Sequence, residues 1–146
     1  MRPPSTLLRR ENLGFLLAKA TQRWNELLAE RFRKAGYGQI RPSYGSLLVP
    51  LFEQDGLRLG ELAKRARLSK QTMTTMVRLL ERENLVRCRA DEKDARATRV
   101  YLGETARKFR PVAERVVAEL EAIALEQGTA REIEAVRGWL TRFAKL

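Results

Sequence analysis

Apolar residues recur at steps of three and four along most of the chain, a spacing that predicts amphipathic helices. The first predicted helix covers about residues 11–34, and Gly36 directly after it suits a left-handed C-cap. Two further helices cover about residues 104–126 and 130–146, the second opened by capping-box spacing at Thr129. Both ends of the chain are therefore predicted to be helical.

The middle of the chain carries three shorter helical patterns separated by turn residues. One covers about residues 42–55, and Pro50 inside it predicts a bend or an early end. The next two cover about residues 59–66 and 70–83 and are joined by a tight turn, in which Ser69 is a suitable N-cap.

Two short segments after the fourth helix alternate between apolar and polar residues, which predicts strands at residues 85–89 and 98–102. Asn84 suits the left-handed conformation that ends a helix, and a charged loop, residues 90–97, joins the strands. Helix, tight turn, helix and two-stranded ribbon in this order predict a winged helix-turn-helix. The expected fold class is mainly α with a small β-wing.

Lysine and arginine (29) outnumber aspartate and glutamate (18), which gives a net charge of +11 and a pI near 10.6. An excess of this size favours an anionic partner, with nucleic acid first and an acidic membrane surface second. Residues 37–103 carry 13 basic and 8 acidic side chains, whereas residues 104–146 carry 8 and 7. A C-terminal segment with almost equal numbers of basic and acidic side chains is expected of helices that contact another protein surface.

The composition argues against several classes of protein. Without histidine the chain has no Ser-His or Cys-His catalytic pair and lacks the ligands of a zinc site. No glycine-rich phosphate loop occurs, so we expect no enzyme, no cofactor and no metal. No apolar run approaches the roughly 18 residues of a membrane span, and we expect no secretory leader. These features predict a cytoplasmic protein that does not enter a membrane.

The single cysteine, Cys88, has no partner for an internal disulfide, which suits a reducing cytoplasm. It stands at an inward position of a predicted strand, where cysteine usually behaves as a small buried hydrophobe. We interpret Cys88 as structural rather than as a redox sensor.

The polar face of the fourth helix is the strongest candidate for a functional surface. Its inward face is predicted to hold Met73, Met76, Val77 and Leu80. The remaining side chains carry groups that can read base edges and phosphates. An ordinary amphipathic helix is the alternative, but threonine and similar short polar residues are poor helix formers, and the neighbouring turn and ribbon favour DNA readout. The candidate DNA-binding residues of this helix are Ser69, Lys70, Gln71, Thr72, Thr74, Thr75 and Arg78.

The loop of the ribbon supplies two further candidates, Asp94 and Arg96. An acid two residues before an arginine can hold the guanidinium by bidentate hydrogen bonds and aim it. We therefore add both residues to the DNA-binding set. A flexible, solvated hairpin is the alternative interpretation of this loop.

The segment from about Asn12 to Phe143 resembles the MarR family of multiple-antibiotic-resistance-type transcriptional regulators. The resemblance is clearest in LGELAKRARLS, residues 59–69, and in TMTTMVRLLERENLVR, residues 72–87. It continues in Asp94-Ala95-Arg96, which looks like the family's D-x-R wing motif. The chain departs from the family at Gly103, where threonine is usual, and Asn84 stands where glycine is frequent.

The resemblance implies a homodimer whose first, fifth and sixth helices interlock. Residues 1–36 and 104–146 would form the dimerisation region, and residues 37–103 the DNA-binding domain. On a pseudo-palindromic operator in double-stranded DNA, each recognition helix would enter a major groove and each Arg96 an adjacent minor groove. The family commonly represses genes and releases DNA when a small, often aromatic or phenolic, ligand or an oxidant arrives.

Aromatic residues near the border of these regions are candidates for lining a ligand pocket. They are Phe15, Trp24, Tyr44 and Phe109, although aromatic residues on helical stripes are more often plain core. Trp139 and Phe143 are better explained by the dimer interface. A function of another class stays open, namely a helical protein-interaction module whose winged domain binds a protein partner. Sequence-selective, salt-dependent DNA affinity would separate the two.

Overall fold

The computed structural model describes residues 7–146. The fold class is confirmed: the described chain is mainly helical, with a small three-stranded sheet in its middle part. Its elements are α1 (Leu13–Lys34), a 3-10 helix (Pro42–Tyr44), α2 (Gly45–Glu53), β1 (Leu57–Arg58), α3 (Leu59–Ala66), α4 (Lys70–Arg82), β2 (Val86–Ala90), β3 (Thr98–Leu102), α5 (Glu104–Glu126) and α6 (Ala130–Phe143).

The described chain separates into two compact units. Phe32–Ala113 form one of them, which we call the winged unit, and residues 7–31 with Glu114–Leu146 form the other, which we call the helical unit. Helices α1 and α5 contribute to both because the boundaries fall inside them.

The winged unit has a hydrophobic core of its own. Its sheet is antiparallel, in the order β1-β3-β2, with Val86 opposite Leu102 and Cys88 opposite Val100. These four side chains share one face of the sheet because alternate residues of a strand point the same way. Helices α2, α3 and α4 complete the core with the buried side chains Leu47, Leu51, Leu62, Met73 and Leu80. Burying each such side chain stabilises the fold by roughly 1.5–3 kcal/mol.

Most predicted elements are confirmed, and the differences have local reasons. The segment that begins at Pro42 opens as a single 3-10 turn, and α2 then continues through Pro50 to Glu53. The proline therefore does not end the helix at its own position. The hydrophobic pattern did not predict β1, because a strand of two residues is too short to show alternation.

The base of the wing depends on a close approach between two backbone segments. Asn84 has φ 59°, which confirms the left-handed conformation expected there. A Cβ atom on Gly103 would lie 2.4 Å from the carbonyl oxygen of Asn84, and the Gly103 N–H donates to the carbonyl of Leu85 at 2.8 Å. Glycine is therefore required at position 103 unless the backbone shifts.

The helical unit buries few of its apolar side chains. Leu28, Val116 and Leu120 are buried, whereas α6 has no buried residue. The predicted capping box of α6 is confirmed: Thr129 and Glu132 each accept a hydrogen bond at 3.1 Å from the other's backbone N–H. The large apolar side chains that this unit leaves exposed are Leu7, Leu8, Leu13, Phe15, Leu16, Val117, Leu125, Val136, Leu140, Phe143 and Leu146.

Within residues 7–146, no helix combines the length and the apolar character that crossing a membrane requires. The same residues contain no group of three or more His, Cys, Asp or Glu side chains placed to hold a metal ion.

Candidate nucleic-acid interface

The turn between α3 and α4 is closed by the backbone. Arg67 is left-handed at φ 56°, and its N–H donates to the carbonyl of Lys64 at 3.1 Å. The N–H of Leu68 donates to the carbonyl of Ala63 at 3.0 Å. This pattern ends α3 in the manner of a Schellman motif. An arginine there costs about 1–2 kcal/mol relative to glycine, so the short turn is maintained against a small strain.

Ser69 caps the N-terminus of α4, as predicted. Its Oγ accepts a hydrogen bond from the backbone N–H of Thr72 at 3.0 Å and donates to Thr72 Oγ1 at 2.8 Å. The only hydrogen of the Ser69 hydroxyl is thus used within the cap. Thr72, in contrast, keeps the hydrogen of its own hydroxyl for a further acceptor.

Thr74 and Thr75 have less donor capacity than the sequence suggests. Thr74 Oγ1 donates to the carbonyl of Lys70 at 2.8 Å, and Thr75 Oγ1 donates to the carbonyl of Gln71 at 3.1 Å. A hydroxyl has one hydrogen, so each threonine retains an accepting oxygen and a methyl group for a partner. In a major groove, such a methyl group matches the methyl group of thymine.

Three longer polar side chains of α4 are exposed: Lys70, Gln71 and Arg78. None of them forms a side-chain hydrogen bond or ion pair with another residue of the described chain. Gln71, Thr75 and Arg78 follow one another at steps of four and three and therefore share one face of the helix. This face presents guanidinium and amide groups whose hydrogen-bonding capacity is unused.

The wing loop presents one arginine at its tip. Asp94 Oδ1 accepts from the backbone N–H of Arg96 at 3.0 Å and from its Nε at 3.2 Å. The predicted contact is present, but it differs from the bidentate grip that we expected, because one oxygen accepts both bonds. The Arg96 side chain is 92% exposed, so its terminal amino groups point away from the protein.

Asp91 fixes the base of the same loop. It is 5% exposed and forms ion pairs with Arg58 of β1 and, at 3.3 Å, with Arg99 of β3. Its carboxylate also accepts from the N–H of Lys93 at 3.3 Å, and its own N–H donates to the carbonyl of Ala97 at 2.9 Å. This base is therefore held by several bonds, unlike a flexible, solvated hairpin.

These contacts change the acidity of Asp91. The hydrogen bond from the Lys93 N–H lowers the pKa of Asp91, and Arg99 and Arg58 lower it further, while burial acts in the opposite direction. Sequence reasoning missed this residue because one of its partners, Arg58, lies on the unpredicted strand β1. The signal that was available is the hairpin register, which brings Asp91 near Arg99.

The four aromatic candidates for a ligand pocket lie in different surroundings. Phe109 is buried in the winged unit, with its ring centroid 4.8 Å from that of Phe32 and 5.1 Å from that of Tyr37. Phe15 is exposed and Trp24 is half-buried, and both belong to the helical unit. Phe109 therefore has the contacts of an ordinary core residue.

Tyr44, the fourth candidate, lines a cavity of about 440 Å³ beside α4. Burial, followed by the nearby Glu83 carboxylate, raises the pKa of Tyr44, so its hydroxyl stays protonated at neutral pH. The other lining residues are Arg41, Ser43, Gln71, Thr72, Thr75, Met76 and Leu79. The cavity thus shares Gln71 and Thr75 with the face of α4 that also carries Arg78.

Cys88 is half-buried on β2. Burial raises its pKa to about 11, with the Glu81 carboxylate as the second cause. A thiol with this pKa is protonated at neutral pH and is a poor nucleophile. The environment therefore favours the structural interpretation of this residue.

The fold and this surface define a winged helix-turn-helix protein. Residues 41–98, from the start of the 3-10 helix to the first residue of β3, match the family model described as MarR family. This stretch of the chain, less than half of its length, is therefore similar to the MarR family.

Solved structures with the same fold cover nearly the whole chain. A probable transcriptional regulator from Pseudomonas aeruginosa is 27% identical, with a TM-score of 0.78 over 91% of this chain and 97% of its own. The transcriptional repressor CouR, bound to a 23-mer DNA duplex, is 22% identical, with a TM-score of 0.80. The alignment covers 94% of this chain and 98% of CouR. The PcaV transcriptional regulator from Streptomyces coelicolor, in complex with its natural ligand, is 18% identical, with a TM-score of 0.78. The alignment covers 92% of this chain and 93% of PcaV. No curated protein matches the chain.

Proposed function

We propose that the protein is a homodimeric, sequence-specific DNA-binding repressor that releases its operator when a small molecule binds. The observation that carries this proposal is the face of α4, where Lys70, Gln71 and Arg78 are exposed without a partner in residues 7–146. Base edges and phosphates are the acceptors that such donors match. The exposed Arg96 of the wing and the net charge of +11 favour the same polyanion.

The apolar surface of the helical unit supports the dimer. Val136, Leu140 and Phe143 follow one another at steps of four and three on α6, and each is about half exposed. A second copy of the chain would remove this stripe from water. The two α4 helices would then face an inverted repeat whose half-sites lie about one helical turn, roughly 10 base pairs, apart.

The cavity beside Tyr44 supports release by a ligand. Met76 and Leu79 give it apolar walls and Arg41 adds a positive charge, a combination that suits a small aromatic acid or a phenolate. Because Gln71 and Thr75 also line the cavity, a ligand there would compete with DNA for the same face of α4. The complex of PcaV with its natural ligand shows that this fold accommodates a ligand in a relative.

Selection of bound fragments from genomic DNA tests the function and yields the operator together. We expect an inverted repeat and an affinity that falls steeply with salt concentration. Absence of sequence preference would reject the proposal and favour the protein-interaction module instead. Titrating the operator complex with aromatic acids and phenols then tests release, which fails if no compound lowers the DNA affinity.

Single substitutions distinguish the DNA contacts proposed for α4 from those proposed for the wing. Arg78→Ala should change the preference among operator sequences, because a lost bidentate base contact costs about 1–3 kcal/mol of discrimination. Arg96→Ala should weaken all operators and lower the log-log salt slope by about 1. Asp94→Ala should give a milder version of the Arg96 defect. Arg23→Ala removes an exposed charge of the helical unit and serves as control; a salt slope that falls equally in this control would contradict the wing contact.

A further inference from the structure

The sheet of the winged unit carries a second cavity, of about 340 Å³, lined mainly by exposed side chains of β2, β3 and α5. Arg87 and Arg89 alternate with the buried Val86 along β2, so they point to the outer face. The cavity is lined by Arg87, Arg89, Tyr101, Leu102, Glu104 and Arg107. It lies at the end of the ribbon where β2 begins and α5 follows β3, whereas Arg96 is at the opposite end.

The ring of Tyr101 lies next to two of the arginines that line this cavity. Tyr101 stands directly opposite Arg87 in the strand register, and the guanidinium of Arg89 lies 5.9 Å from the ring centroid. The other side of the residue is tightly packed, since a Cβ on Gly56 would be 2.7 Å from Tyr101 Cε1. Two arginines and one half-buried aromatic ring therefore form a single surface.

Positive charge in the cavity is poorly compensated. Arg87 forms no ion pair or hydrogen bond with any other described residue. The carboxylate of Asp55 is 3.9 Å from Arg107, which is beyond hydrogen-bond distance. Glu104, the acid that lines the cavity, pairs with Lys108 at 3.1 Å. Arg107 thus has a long ion pair with Asp55, whereas Arg87 and Arg89 pair with no carboxylate of the described residues.

We propose that this cavity binds a phosphoryl group with two negative charges, either as free phosphate or as a phosphate monoester. The planar donor fork of arginine matches the oxygens of phosphate, and two or more guanidinium groups favour a dianion over a singly charged group. The half-buried ring of Tyr101 adds an apolar contact for an aromatic substituent of the ester. The proposal concerns a different surface from α4 and does not depend on the proposed operator binding.

Two other roles are possible for the same arginines, and each predicts a different result in a binding experiment. β2 is an edge strand, and charged side chains on such strands prevent pairing with other chains. In that role the arginines would bind no specific anion. In the second role, the cavity would contact a phosphodiester of DNA, which carries one charge and belongs to a duplex. The number of guanidinium groups disfavours this source, because two or more of them favour a dianion over a singly charged phosphodiester.

Calorimetric titration of the full-length protein with inorganic phosphate and with phenyl phosphate tests the proposal at constant ionic strength. We expect saturable binding of both, tighter for phenyl phosphate. The double variant Arg87→Gln/Arg89→Gln should lose about tenfold or more in affinity, since both bidentate partners are gone. The matched control Arg23→Gln/Arg131→Gln removes the same charge from the helical unit and should bind like the parent protein. Thermal melting confirms that both variants are folded.

Three results would overturn the assignment. Absence of saturable binding would leave only the role in blocking strand pairing. An equal loss in the control variant would show general attraction by the net charge. An operator affinity and salt slope that fall in the Arg87→Gln/Arg89→Gln variant, with no competition from phenyl phosphate, would instead assign the arginines to the DNA backbone.

Discussion

The winged unit and the helical unit are built from similar amphipathic helices but differ in what covers their apolar stripes. In the winged unit, Leu62 of α3 and Met73 of α4 are fully buried against neighbouring elements. In the helical unit, α6 has no buried residue, and Leu140 and Phe143 are about half exposed. Helices of both units carry apolar residues at steps of three and four. In the winged unit, neighbouring elements cover the apolar stripes of the helices. In the helical unit, the described residues leave much of these stripes exposed.

This difference shows what amphipathic periodicity does and does not specify. It specifies that a face will be buried, but not which chain provides the covering surface. A cluster of large apolar side chains left in water is unusual for a monomer and marks an interaction site. The winged unit therefore acts as a module complete in itself, whereas the proposed dimer would cover the apolar surface of the helical unit. Substitutions that affect one unit and not the other test this division.

The largest effect is expected from charges placed in the stripe of α6. Val136→Glu combined with Leu140→Glu would bury two carboxylates in the proposed interface, and the cost should weaken dimerisation by ~100-fold or more. Sedimentation at micromolar concentration should give twice 16.8 kDa for the parent protein and 16.8 kDa for the variant. Operator affinity should fall together with dimerisation.

The matched control is Val49→Glu, which changes a 53% exposed valine of the winged unit. Its sedimentation should equal that of the parent protein, since this valine belongs to the complete module. A parent protein that sediments as a folded monomer would contradict the division between the units. It would also remove the geometric basis for a palindromic operator.

A smaller effect is expected from crowding the base of the wing. Gly103→Ala places a methyl group where Asn84 O would be 2.4 Å away, and all three nearest atoms belong to the backbone rather than to a flexible side chain. We expect the free energy of unfolding to fall by about 1–3 kcal/mol. Chemical denaturation followed by circular dichroism measures this change.

Gly60→Ala is the control, because this glycine has free space around it and its replacement should not lower the free energy of unfolding. Gly60 lies inside α3, and nothing is within 4 Å of a Cβ added there. Alanine is more favourable than glycine in a helix, by roughly 0.5–1 kcal/mol in the interior and less in the first turn, so this variant should be at least as stable as the parent protein. Equal destabilisation by both substitutions would show that the close approach at Gly103 is not the cause.

Sequence reasoning was most successful where a local rule determines the structure. The N-cap at Ser69, the left-handed Asn84 and the capping box at Thr129 were all predicted, because each depends on residues within one turn. The contact between Asp94 and Arg96 was predicted for the same reason. These features needed no knowledge of distant parts of the chain.

It was least successful where two distant segments meet. The requirement for glycine at position 103 comes from a backbone that lies 19 residues earlier, at Asn84. The arginines around Tyr101 share a surface only because β2, β3 and α5 come together there. Likewise, the donor capacity of Thr74 and Thr75 is reduced by bonds to their own helix, which a residue type does not reveal. Periodicity identifies faces, whereas such contacts depend on the tertiary structure.

The smallest effect concerns the pH dependence that Asp91 gives to the winged unit. Its pKa in the folded state is lowered, first by the Lys93 N–H and then by Arg99 and Arg58. A group with a lowered pKa stabilises the folded state at every pH above its unfolded value, which is about 3.9 for aspartate. This contribution disappears as the pH falls through the folded value, because the carboxylate then becomes protonated in both states.

Asp91→Asn removes the charge but keeps an oxygen that can accept from Lys93. The variant should be less stable than the parent protein from pH 5 to 7, by an amount that does not vary with pH in this range. Below about pH 3.9 the two melting temperatures should converge, since the parent protein gradually loses the same charge. Melting curves at half-unit steps from pH 2.5 to 7 measure the difference. A difference that stays constant down to pH 2.5, or that widens in acid, would show that the ion pairs with Arg58 and Arg99 do not stabilise the wing. In that case, the base of the wing would be held by its backbone hydrogen bonds alone, such as the one from Asp91 to Ala97.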